Sequence, residues 1–220
     1  MDLNKLKYNS LNLTPAANKA IGFDSDADAL EATLSGGSMT FIKKLTASSS
    51  SDLSFVNGAS DVVLDSTYKE YIFIFNNLHF SDDACNFKLN FRDGGSSYDA
   101  SKTSNYGYAY HEEGGSNSGI TRDDSRANDA STGVQVLGQN IGNGNDESIS
   151  GTMYLFNPAS TTFQKQYISS VNYYQSDNKS ENAFAGGYCD VTAAIDAVQF
   201  SPSAGTFDAG DIKLYGIKDS

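Results

Sequence analysis

The stretch Ala197-Val-Gln-Phe-Ser-Pro-Ser-Ala-Gly-Thr-Phe-Asp-Ala-Gly-Asp-Ile-Lys-Leu-Tyr-Gly-Ile217 decides how the chain is read. Val198 and Phe200 alternate with Ala197 and Gln199 before Ser201-Pro-Ser-Ala-Gly205 interrupts the pattern. Beyond the interruption, Ile212 and Leu214 fall on one face, with Lys213, Tyr215 and Ile217 on the other. A period of two bounded by Pro and Gly is the signature of strands joined by a turn. A final strand left unpaired would expose a row of backbone donors and acceptors. The sequence therefore predicts a sheet completed only when its last residues dock.

Working outward, the same signals recur at short and fairly even spacing. Met39–Thr46 and Leu53–Val56 read as the first strands. Residues 68–80 contain Tyr71-Ile-Phe-Ile-Phe75, a continuous apolar run suited to a central strand covered on both faces. In 86–92 the alternation is strict, with Phe87, Leu89 and Phe91 inward and Asn86, Lys88, Asn90 and Arg92 outward. Tyr106, Tyr108 and Tyr110 repeat the period, and strand character returns over 134–141, 148–156, 163–174 and 182–189. The expectation is an all-β, antiparallel, jelly-roll-like β-sandwich of about ten strands over residues 39–220. Residues 112–131 form the longest polar stretch and read as a surface loop.

Residues 1–38 read differently, as an N-terminal arm or anchor with too few apolar residues for a core of its own. A short helix is expected over 13–21, with Thr14 as its N-cap and Pro15 in its first turn. A polar turn over 22–30 and the hinge Ser35-Gly-Gly-Ser38 follow.

Apolar residues make up 39% of the 220, with 13 Phe and 13 Tyr, which is enough for a real core. The formal net charge of -12 argues against nucleic acid, whose phosphates demand clustered Lys and Arg, and against anionic membrane surfaces. The N-terminus lacks a secretion-signal pattern, so a soluble protein made in a cytoplasm is expected. Cys85 and Cys189 then read as two buried thiols rather than a disulfide.

Catalytic chemistry has little support. His79 and His111 are the only histidines, and no nucleophile elbow, phosphate loop or dinucleotide fingerprint accompanies them. Asp24-x-Asp26-x-Asp28 imitates the start of a calcium loop but has Ala29 where glycine is required and Ser35 in place of the bidentate Glu. Neither a metal nor a cofactor is expected. The acid pairs at 82–83, 112–113, 123–124 and 146–147 read as solvated loop carboxylates, and glycoside hydrolysis stays a distant alternative. The candidate contact residues are Tyr106, Tyr108 and Tyr110 with Asn117, Asp123 and Asp124 of the adjoining loop. Interior or subunit-contact rings are the first expectation for the tyrosines. Outward rings would instead be flat platforms for sugars beside the loop Asn and Asp.

Four stretches carry a resemblance: Leu13-Thr-Pro-Ala-Ala-Asn-Lys-Ala-Ile-Gly-Phe23, Ser66-Thr-Tyr-Lys-Glu-Tyr-Ile-Phe-Ile-Phe75, Gly151-Thr-Met-Tyr-Leu-Phe-Asn-Pro-Ala-Ser-Thr-Thr-Phe163 and the terminal Phe207-Asp-Ala-Gly-Asp-Ile-Lys-Leu-Tyr-Gly-Ile217. Together they resemble small β-rich virion structural proteins of tailed bacteriophages that infect marine bacteria and cyanobacteria. The resemblance implies a non-enzymatic component synthesised in the host cytoplasm and displayed on the virion exterior, as capsid decoration, head fibre or tail-associated protein. It implies partners among the major capsid or tail proteins and brings no catalytic residue. A homo-oligomer, with a trimer favoured, suits a sandwich of this kind. The alternative is a receptor-binding module for host surface glycan, at a tail-fibre tip. A glycan depolymerase is more distant.

Overall fold

The computed structural model describes residues 20–23, 30–33 and 38–218. By backbone proximity the chain divides into Met1–Ser38 and Met39–Ser220. In the first part, β1 (Ala20–Phe23) and β2 (Leu30–Thr33) pair antiparallel, with Ala20 opposite Thr33 and Phe23 opposite Leu30. Ala20 and Ile21 are thus in a strand, and the helix expected up to residue 21 does not include them. The rest of that helix, the Asp24, Asp26 and Asp28 turn and the Ser35–Ser38 hinge up to residue 37 lie outside the described residues.

The second part contains twelve strands: β3 (Met39–Thr46), β4 (Leu53–Val56), β5 (Glu70–Phe80), β6 (Cys85–Arg92), β7 (Lys102–Glu112), β8 (Ser118–Arg122), β9 (Gln135–Ile141), β10 (Ile149–Phe156), β11 (Lys165–Gln175), β12 (Lys179–Cys189), β13 (Ala197–Pro202) and β14 (Phe207–Ile217). All pair antiparallel. Eight follow the order β3-β14-β5-β10-β11-β12-β7-β8, and four follow β9-β6-β13-β4. The two runs join where Gln175 of β11 meets Ile141 of β9, and they approach again where Ser50, ahead of β4, bridges Phe207 of β14. The sheet is therefore nearly closed, like a flattened barrel. The antiparallel all-β expectation holds, with twelve strands rather than about ten.

The C-terminal stretch forms two strands as its alternation requires, and they go to different layers. β13 lies between β4 and β6, and β14 lies between β3 and β5. The turn between them passes through Gly205 at φ +62°, where a Cβ would stand 2.2 Å from both Asp82 Oδ1 and Ser81 Oγ. Because β14 is bonded on both flanks, docking of the last strand does complete the larger run.

The core forms where inward residues of the two runs meet. Phe55, Phe87 and Phe200 from the shorter run interlock with Phe73 and Phe75 from the longer one at centroid distances of 5.0–5.3 Å, and Phe200 also meets Phe55 and Phe87 of its own run at 6.4 and 5.7 Å. All but one of these six pairs are edge-to-face, the arrangement that aromatic quadrupoles favour. Phe87, Leu89 and Phe91 are fully buried, as the alternation of β6 predicts. Both cysteines are free and buried, as expected. In β5, Tyr71, Phe73 and Phe75 face the core, while Ile72 and Ile74 turn to the outer face.

Candidate functional site

The tyrosine repeat sits on β7, which pairs with β12 without a break from Lys102 opposite Cys189 to Glu112 opposite Lys179. Period-two geometry puts Lys102, Tyr106, Tyr108 and Tyr110 on the inner face. The row leads from core to rim: Lys102 and Tyr106 are buried, whereas Tyr108 and Tyr110 are half-buried. Opposite Tyr106 and Tyr108 the partner strand supplies Ala185 and Ala183, small side chains beside the rings, and opposite Tyr110 stands Glu181. Successive rings lie 6.1 Å apart, tilted by 47° and 41°. Tyr108 and Tyr110 wall a hollow of about 190 Å³, together with Thr121, Gln175, Lys179 and Glu181.

Glu181 is only 1% exposed, and its stability there rests on donors. It accepts from the Tyr173 hydroxyl, from Gln139 Nε2 at 3.2 Å and from Gln175 Nε2 at 3.1 Å. Burial raises its pKa above the usual carboxylate value, against the opposing pull of the Tyr173 and Gln139 hydrogen bonds. These donors fix the Gln175 amide with its nitrogen toward the carboxylate. Its oxygen, Oε1, is buried and has no hydrogen-bond partner among the described residues, and the same holds for the Tyr106 hydroxyl. At the rim, Lys179 Nζ lies 5.7 Å from the Tyr110 ring centroid and pairs with Asp177. The Tyr110 hydroxyl donates to Asn117 Oδ1 at 3.3 Å.

The structure therefore brings together Tyr106, Tyr108, Tyr110 and Asn117. Asp123 adjoins the row through its backbone, donating N–H to the Tyr106 carbonyl at 3.0 Å, while the Asp123 and Asp124 carboxylates are engaged elsewhere. Asp123 caps a single 3-10 turn, Asp124–Arg126, by accepting from Ser125 N at 3.0 Å and Ser125 Oγ at 2.6 Å. Asp124 forms an exposed ion pair with Arg122 at 2.7 Å. Replacing Asp123 with Ala should cost about 1 kcal/mol, the usual value of a lost cap, in a denaturant titration. A loss below about 0.3 kcal/mol would show that the cap contributes nothing.

A larger hollow, about 650 Å³, lies between β5, β14 and the loop before β10, and is lined by His79, Asp146, Glu147, Ser148 and Asp208 among others. His79 Nδ1 stands 2.6 Å from Asp208 Oδ1, and Nε2 stands 2.9 Å from the Gly144 carbonyl oxygen. Burial opposes the charged ring, yet Asp208 and Gly144 outweigh it and hold the pKa above 6.5. Glu147 accepts from Gly144 N at 2.7 Å. With both ring nitrogens engaged, this imidazole fastens the loop to the sheet and has no lone pair aimed at a nucleophile.

A third feature lies on the outer face of the eight-strand run. Cross-strand register aligns Phe41, Tyr215, Ile72, Tyr154 and Ile168 in one row over β3, β14, β5, β10 and β11. Phe41 is 55% exposed and Ile168 57%. Compared with known proteins, the chain matches no family model, no curated protein and no solved structure.

Proposed function

We propose that the chain is a non-enzymatic structural protein of a tailed-phage virion exterior, and that it assembles through the outer face of its eight-strand run. The row Phe41–Tyr215–Ile72–Tyr154–Ile168 carries this reading. An apolar row crossing five strands, with rings exposed at 38% in Tyr154 and 55% in Phe41, is the kind of surface that proteins cover by association. The negative net charge keeps the remaining surface soluble and unattracted to nucleic acid. The resemblance supplies the setting and the partners: copies of the chain itself, with a trimer favoured, and capsid or tail proteins. His79 fits the non-enzymatic reading because both its nitrogens are spent on Asp208 and Gly144.

Sedimentation velocity of the full chain is the test. An oligomer is expected for the native sequence, and Ile168→Asp, which puts a charge at the most exposed apolar position of the row, its β11 end, should yield monomers with an unchanged β-type circular dichroism spectrum. A native chain that sediments as a monomer at all concentrations would remove the assembly reading. Proteomic detection of the chain in purified particles, lost on surface shaving with protease, tests the exterior location. Its absence from particles would defeat that part.

The hollow beside Tyr108 and Tyr110 favours a second reading, a receptor-binding module for host surface glycan. Half-buried rings next to buried hydrogen-bonding groups suit sugars better than either a sealed core or a bare surface.

A further inference from the structure

We infer that the hollow walled by Tyr108 and Tyr110 takes one neutral pyranose ring, whose apolar face lies on a tyrosine and whose hydroxyls donate to Gln175 Oε1 and the Glu181 carboxylate. This deepens the glycan-binding reading and is independent of assembly through the outer face.

Four observations converge on that ligand class. The size comes first: about 190 Å³ is below the few hundred Å³ of a drug-sized site and suits a single ring. The floor is second. Gln175 is 8% exposed, lines the hollow, and carries an acceptor oxygen with no partner among the described residues. A buried acceptor of this kind costs free energy until something donates to it, so a ligand bearing hydroxyls gains where a purely apolar one does not. Third, the walls are phenol rings half-open to solvent, which offer C–H-bearing sugar faces a flat apolar contact and a polar edge together. Charge is fourth. The buried Glu181 and a net charge of -12 disfavour an anion, while the Lys179 ammonium already held over the Tyr110 ring disfavours a cation. A neutral polyhydroxylated ring satisfies all four.

The orientation follows from the network. Glu181 already receives Tyr173, Gln139 and Gln175. Those donors keep its oxygens pointed and prepaid in conformational entropy, so the ligand meets a preorganised floor. With so few groups in contact, the affinity should be on the order of millimolar.

The test is a two-dimensional NMR titration of the isotope-labelled full chain with methyl β-glucopyranoside, methyl β-galactopyranoside, methyl α-mannopyranoside and N-acetylglucosamine. Tetramethylammonium and glucuronate serve as charged comparators. At least one neutral sugar is expected to give saturable shifts centred on Tyr108, Tyr110 and Gln175. Tyr110→Ala should weaken that binding about tenfold. Tyr154→Ala, on the outer face, should leave it unchanged, and so should the Ile168→Asp variant whatever its oligomeric state. Circular dichroism of each variant shows that it is folded. If none of the four sugars perturbs these residues, or if binding persists in a folded Tyr108→Ala, Tyr110→Ala double variant, the inference is wrong. Tighter binding of either charged comparator in the hollow would overturn it equally. Loss of sugar binding only in the Ile168→Asp variant would show that the site needs a second copy and would overturn the single-chain assignment.

Discussion

Phe200→Ala is expected to destabilise the protein by about 3–5 kcal/mol, the range for emptying a fully buried aromatic site. Phe200 is 0% exposed and meets Phe55, Phe73, Phe75 and Phe87 at centroid distances of 6.4, 5.3, 5.1 and 5.7 Å. Two of these partners are in its own four-strand run and two are in the facing run, so the ring is the piece through which the layers grip each other. Removing it leaves a cavity that the structure cannot readily collapse into, because the register of β13, which carries Phe200, is held by ladders to β4 and β6 on both flanks. Set against a typical total of about 5–15 kcal/mol, such a loss leaves a marginal fold. Phe200→Leu keeps most of the volume and should cost only about 1–2 kcal/mol. Urea denaturation followed by circular dichroism reads both values. If the Ala variant lost less than about 1 kcal/mol, the interlocked phenylalanines would not be what joins the layers.

What the sequence reveals of this fold is what period-two alternation encodes. β6 shows Phe87, Leu89 and Phe91 facing the core because each outward neighbour is polar. The terminal strands are legible for the same reason, but their partners are not. Nothing in the alternation says that β13 joins β4 and β6 while β14 joins β3 and β5, since register and layer are decided by contacts between residues far apart in the chain. β8 was hidden inside the expected 112–131 loop. All five of its residues are exposed, so it has no buried face to leave a mark in the pattern that sequence reading detects. The arm shows the opposite failure. Thr14, Pro15 and Gly22 carry helix-boundary chemistry, yet at the end of that segment Ala20 and Ile21 pair with Thr33 and Ala32, because a strand partner outweighs the weak propensity of little more than one turn.

The candidate site was half legible. Tyr106, Tyr108 and Tyr110 announce a common face by spacing, and Asn117 reaches Tyr110 across the β7–β8 turn. Glu181 was missed because a strand expected from residue 182 stops one position short of it. β12 begins at Lys179, and once it does, Glu181 falls on the inner face with Ala183 and Ala185, a charge in line with core residues. Gln139 and Gln175 leave no trace at all, since a glutamine in a strand reads the same whether it faces water or a buried carboxylate. Of the two loop acids, Asp123 adjoins Tyr106 through its backbone N–H while its carboxylate caps the 3-10 turn, and Asp124 pairs with Arg122.

Lys102→Met should stabilise the protein at neutral pH, by on the order of 2 kcal/mol, with a pH signature that identifies the cause. Register puts Lys102, Cys189 and Lys165 side by side on the inner face of β7, β12 and β11, and all three are 0% exposed. Lys102 Nζ donates to the Gly133 carbonyl at 2.5 Å, and Lys165 Nζ donates to the Val191 carbonyl at 2.8 Å. Neither ammonium has a carboxylate within ion-pair distance among the described residues. Burial brings the Lys102 pKa down from 10.5 to about 8, and it pushes the Cys189 thiol between the lysines up to about 12, so the thiol stays neutral and does not compensate them. At pH 7 the folded protein therefore carries a buried charge at a cost that methionine, of similar length and apolar, avoids. Between about pH 8 and 10.5 the folded chain has released the Lys102 proton while the unfolded chain still binds it, so this group's contribution to stability rises with pH. Cys189 acts in the opposite sense above about pH 9, where an unfolded thiol ionises and the buried one does not, so only the difference between native and variant isolates the lysine. The Met variant should be the more stable one at pH 7, and its advantage should shrink steadily from pH 8 to 10.5 as the native lysine becomes neutral. A Met variant that is less stable at pH 7, by a margin independent of pH, would mean that the Gly133 hydrogen bond outweighs desolvation and that the buried ammonium is a net support of the fold.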